Sequence, residues 1–109
     1  MTYNKLVRDK IPEIIYAEGS KANIHKANEQ EFIGELLKKL VEEASELEAE
    51  FIKSGEIDIM ELADADEVLD NIKAISGYTF EKVKAAKDLK RVNRGGFGNR
   101  IILEEVHCE

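Results

Sequence analysis

The sequence predicts an all-α fold built around two long antiparallel helices. Three observations predict it. Apolar residues recur at helical spacing over two long stretches, about Glu29 to Lys53 and Ile57 to Ile75. Ser54-Gly55 and Ser76-Gly77 punctuate those stretches. Pro12 is the only proline, and little of the chain reads as a flexible linker.

The elements follow in order. In TYNKLVRDKIPEII, Asp9 is placed to cap a short helix with Pro12 in its first turn. Ile11, Ile14 and Ile15 give that helix an apolar side, and Glu18-Gly19-Ser20 ends it. Lys21 to Ala27 reads as an extended connector, with His25 on the surface. Asn28 and Glu31 form a capping box for the first long helix. Its face includes Phe32, Ile33, Leu36, Leu37, Leu40, Val41, Ala44, Leu47 and Phe51, wide enough for more than one neighbour. Thr79 caps a last helix, about Phe80 to Val92. Gly95, Gly96 and Gly98 then forbid a stable helix, and Arg100 to Val106 reads as a short strand or an extended arm. The expectation is one domain over residues 1–109, with short extended ends and a core completed by self-association as a homodimer or homotetramer.

Composition excludes several classes. The net charge is −7, which disfavours binding to a nucleic-acid backbone. No apolar run could span a membrane and no signal-peptide pattern opens the chain, so a soluble, cytoplasmic protein is expected. The single cysteine, Cys108, rules out an internal disulfide and a thiolate metal cage.

The chemistry lies between Leu40 and Asn71. Glu43 and Glu46 are three residues apart, as are Glu61 and Asp64, so each pair shares a helix face. At about 100° per residue, Ala65, Val68, Leu69, Ile72 and Ile75 fall within about 80° of Glu61. Glu61 therefore sits inside the apolar stripe of its helix, with Asp64 and Asn71 on one edge. Glu43 falls within the stripe of Phe32, Leu36, Leu40 and Leu47; Glu46 lies at its edge, and Glu42 points further out. Charges are rarely buried without a partner. Ordinary solvation explains Glu42, Glu48 and Glu50 but fits Glu43 and Glu61 poorly. A buried salt bridge to a lysine is the competing explanation for those two. If the helices fold back on each other, four carboxylates meet in one cleft, and oxygen-only donors call for Mg²⁺, with Mn²⁺ as a substitute. Such an ion usually meets phosphates, whose remaining charge needs cations. Lys5, Arg8 and Lys10 form one basic group, and Arg91, Arg94 and Arg100 another, around a glycine run that matches no P-loop.

EEASE at Glu42 to Glu46 and ELAD at Glu61 to Asp64 resemble the EExxE…ExxD signature of the all-α nucleoside triphosphate pyrophosphohydrolases. That superfamily includes MazG, the dimeric dUTPases and phosphoribosyl-ATP pyrophosphohydrolase. Asn71, seven residues after Asp64, matches the asparagine of MazG-type members. YNKLVRDKIPEII and RGGFGNRIIL resemble the ends of small MazG-like proteins labelled phosphoribosyl-ATP pyrophosphohydrolase-like, so the likeness covers nearly the whole chain. It implies a MazG-like bundle and Mg²⁺-dependent hydrolysis of a nucleoside triphosphate between the α and β phosphates, serving to clear surplus or non-standard nucleotides. It implies Glu43, Glu46, Glu61 and Asp64 as metal ligands. Glu42 would be an outer group, a second-metal ligand or a base, acting with Glu43 in catalysis. Asn71 would contact the nucleotide; by their charge and location, Lys5, Arg8 and Lys10, and Arg94 and Arg100, are the candidates to hold its phosphates. Phosphoribosyl-ATP is the alternative substrate, and a non-catalytic oligomerisation or regulatory module the alternative class. Asp66, Glu67 and Asp70 depart from the family's usual hydrophobic stretch, with solvent, the site or another subunit open as their surroundings.

Overall fold

A computed structural model describes residues 3–108. It is all-helical, with α1 at Ile11–Ala17, α2 at Glu29–Ser54, α3 at Ile59–Ile75 and α4 at Phe80–Arg94. No strand occurs among the described residues.

The expected Asp9 cap of α1 does not form. Lys10 is the N-cap residue, with φ −89° and ψ −3° and no side-chain cap bond. The chain enters the helix already turned: Ile11 N–H donates to the Arg8 carbonyl at 3.1 Å, so backbone does the work of a cap. Pro12 stands in the first turn, where its missing N–H leaves nothing unpaired. Gly19, at φ +89°, turns the chain away after the helix.

Asn28 starts α2 by accepting from Glu31 N–H at 2.9 Å. The Glu31 carboxylate meets exposed His25 at 3.0 Å. After 26 residues Gly55 closes the helix at φ +77°, donating to the Phe51 carbonyl at 2.7 Å. Only glycine adopts that backbone without strain. Asp58 then caps α3, accepting from Met60 N–H at 2.9 Å and Glu61 N–H at 3.1 Å. That cap moves the start of α3 from the expected Ile57 to Ile59.

Helices α2 and α3 pack together as a hairpin. Glu46 reaches Glu61 while Glu43 lies near Asp64, so a later residue of α2 meets an earlier one of α3. The pair is therefore antiparallel. Leu36 and Val68 are the buried apolar side chains among the described residues, and Glu43 is the buried charged one. Each aliphatic side chain fully removed from water contributes about 1.5–3 kcal/mol. A core of this size is small for the helices it joins.

The chain divides into two compact units, the first ending at Gly77 and the second beginning at Tyr78. In the second, Thr79 caps α4 by accepting from Lys82 N–H at 3.1 Å. Helix α4 runs two residues past the expected Val92, to Arg94, and Gly95 follows at φ +80°. Residues 101–108 carry no regular structure, so of the two forms open to Arg100–Val106 the strand does not form.

Candidate metal centre

The cleft is made by two helical spacings facing each other. Helix α2 presents Glu43 and Glu46; α3 presents Glu61 and Asp64. One oxygen each from Glu43, Glu46 and Glu61 lies within 4.8 Å of the others. Glu43 is only 6% exposed, Glu61 is half-buried and Glu46 is exposed. The Oε2 atoms of Glu43 and Glu61 are shielded from solvent and accept no hydrogen bond. The shielding is local, because Glu46 beside them stays open to water.

Both shielded carboxyls are pushed above their ordinary values. For Glu43 loss of hydration is the first cause; the charge of Glu46, a hydrogen bond to Glu46 and the charge of Asp64 act the same way, and Lys39 opposes them. For Glu61 loss of hydration again leads, followed by a hydrogen bond to Glu46 and the charges of Glu46, Asp64 and Asp58. Carboxylates that crowd and dehydrate one another hold their protons longer.

Asp64 is the fourth expected ligand, and it is engaged elsewhere. Its Oδ1 accepts from the Arg8 guanidinium at 2.9 Å. Three of the four carboxylates thus converge while the fourth flanks them, near enough for its charge to reach Glu43 and Glu61. Lys39 Nζ lies 3.8 Å from Glu42 Oε1 and 3.8 Å from Glu43 Oε1. The competing explanation, a lysine salt bridge, therefore holds in part for Glu43, yet its Oε2 remains without a partner. Sequence reasoning missed Lys39. Its i,i+3 and i,i+4 spacing from Glu42 and Glu43 was the available signal.

The remaining predicted residues are less gathered. Glu42 is half-buried beside Lys39. Asn71 is half-buried and donates to the Glu67 carbonyl at 2.9 Å and Glu67 Oε2 at 2.8 Å, a bond within its own helix. Lys5 is exposed, its ammonium 5.8 Å from the centre of the Tyr3 ring, and Lys10 is exposed at the N-cap of α1. Asp66, Glu67 and Asp70 are exposed, and Glu67 is the partner of Asn71. Arg94 and Arg100 belong to the second unit, where residues 94–102 curl around a concavity of about 520 Å³. Arg100 sits there at φ +58°, donating through its N–H to the Phe97 carbonyl at 3.1 Å.

No protein-family model, curated protein or solved structure matches this chain. No helix among the described residues is long and apolar enough to cross a membrane. The donor set itself is informative. Three carboxylates offer only hard oxygen atoms, which suit Mg²⁺ or Mn²⁺ and not a soft, sulfur-seeking ion. Two shielded oxygens without hydrogen bonds fit a cation partner, although exposed acidic groups also cluster without one.

Proposed function

We propose that this protein is a Mg²⁺-dependent nucleoside triphosphate pyrophosphohydrolase of the MazG-like type, with Mn²⁺ as a substitute ion. It would take a nucleoside triphosphate to the monophosphate and pyrophosphate. The observation that carries the reading is the convergence of Glu43, Glu46 and Glu61 with two shielded, unpartnered oxygens. Those three residues and Asp64 would hold the ion. When bound, it would neutralise phosphate charge and lower the pKa of a coordinated water.

The chain's own residues supply the rest. Hydrolysis consumes one water and releases a proton, which a carboxylate beside the cleft must take. Glu42, adjacent to Glu43 and steadied by Lys39, is our choice for that base. Arg8 stands at the cleft through Asp64 and would meet phosphate oxygens, with Lys5 and Lys10 in the same N-terminal segment. Asn71, on the edge of α3 that carries Asp64, is assigned to the nucleotide once it leaves Glu67. Arg94 and Arg100 are assigned to phosphates by their charge and their place beside the glycine run. The working form is a homo-oligomer, supported by the small core and by the apolar residues left exposed on α2 and α3.

The test is pyrophosphate release over a panel of canonical and modified nucleoside triphosphates plus phosphoribosyl-ATP, with Mg²⁺ and with chelator. Mg²⁺-dependent turnover of one nucleotide class is the expected result. Turnover of phosphoribosyl-ATP alone would move the protein to histidine biosynthesis. Silence across the panel from folded protein would leave a non-catalytic module.

A further inference from the structure

Asp64 belongs to the cleft by its charge, which acts on both Glu43 and Glu61, yet its oxygen is held by Arg8 at 2.9 Å. That bond joins residues 56 apart in sequence, so it ties the segment before α1 to α3. The Arg8 backbone is fixed, because its carbonyl accepts from Ile11 N–H at 3.1 Å. Its side chain is 59% exposed, so water and not packing surrounds most of the guanidinium arm. A guanidinium does not lose its proton in a protein, so this cation cannot leave by titration; it can only move. A divalent cation arriving among Glu43, Glu46 and Glu61 would repel it and compete for the same Asp64 oxygen.

We propose that Arg8 is the resident counter-cation of the carboxylate cleft, surrendering Asp64 to the incoming metal and turning its guanidinium to the nucleotide's phosphates. This rests on the metal-dependent reading above. One side chain would then couple the two binding events. In the metal-free protein it neutralises Asp64; in the loaded protein its forked N–H donors match phosphate oxygens. Arg8 is thus a competitor for the metal and a partner for the substrate.

The experiment compares wild type, Arg8→Gln and Arg8→Lys. Mn²⁺ alone is titrated by calorimetry at low and high salt, and KM and kcat are measured for the nucleotide that the wild type hydrolyses. Removing an exposed competing ion pair should tighten Mn²⁺ binding in Arg8→Gln by about two- to fivefold. The gain should shrink at high salt, where exposed charges are screened. KM should rise in the same variant, and Arg8→Lys, which keeps the charge, should restore wild-type metal affinity. Unchanged Mn²⁺ affinity in folded Arg8→Gln, with only thermal stability lowered, would make the pair structural and overturn the inference while leaving the metal reading intact. A wild-type protein that binds no divalent cation would overturn both.

Discussion

Glu43 is held inside the α2–α3 packing with one oxygen near Lys39 and the other shielded and unpartnered. Its burial is unfavourable in the metal-free protein, since a charged carboxylate loses hydration and meets Glu46. Glu43→Gln keeps the shape and removes the charge. Without metal this variant should melt no lower than wild type, and Glu61→Gln should behave alike. Both should lose the thermal stabilisation that Mg²⁺ confers on wild type. Melting curves with Mg²⁺ and with chelator check this, and full Mg²⁺ stabilisation of both variants would remove them from the ligand set. The pH dependence has a definite sign. Both carboxyls titrate above their ordinary value of 4.5 when folded, so over that window the folded state binds more protons than the unfolded chain. Their contribution is fully present below the unfolded value and is lost as pH rises through the folded one. Chelated wild type should therefore lose stability on going upward from about pH 4.5, and Glu43→Gln should flatten that slope. Metal affinity should run the other way, because the ligands must be deprotonated.

Helix ends in this chain are local devices, and their legibility follows from that. Asn28 and Thr79 cap as read, because a side chain bonding a backbone N–H three residues on needs no tertiary help. Asp9 misled because the backbone at Lys10 already closes the turn, and Asp58 was overlooked because Ile57 before it falls on the apolar stripe, about 40° from Glu61. The face shared by Glu43 and Glu46, and by Glu61 and Asp64, was readable from helical periodicity. The Arg8–Asp64 pair was not, since nothing in a local pattern joins residues so far apart. The hairpin between α2 and α3 tests the value of the end signals. Asp58 accepts two N–H bonds, one from Glu61 itself, so Asp58→Ala should cost about 0.5–2 kcal/mol and loosen the backbone that carries Glu61. Gly55→Ala meets no obstacle within 4 Å, yet φ is +77°, so left-handed strain of about 1–2 kcal/mol should be its effect. Urea denaturation measures both. A silent Gly55→Ala would mean that the hairpin turn is remade without loss.

The whole molecule has more apolar surface than its own core uses. On α2, Leu37, Val41 and Ile52 are 50%, 68% and 76% exposed. At about 100° per residue they fall within about 60° of one another, on the side away from Leu36 and Glu43. Helix α2 thus carries apolar residues on a second side as well as on the one turned to α3, with Glu48 among them. A bare apolar stripe on a long helix is ordinarily covered by a partner, and a second copy of the chain is the partner consistent with a small self-associating bundle. Light scattering after size exclusion should accordingly give a multiple of 12.3 kDa at micromolar concentration. The double variant Leu37→Glu, Val41→Glu adds charge to that stripe without touching Leu36, Val68 or the carboxylates. It should shift the mass toward one chain and lower the melting temperature, because each protomer then keeps only its own small core. Dependence of the wild-type melting temperature on protein concentration is the companion signature of coupled folding and association. A wild-type protein of monomer mass, melting at one temperature over a hundredfold range of concentration, would show that the stripe on α2 is simply solvated, and that Leu36, Val68 and the half-buried residues around them suffice to hold the hairpin.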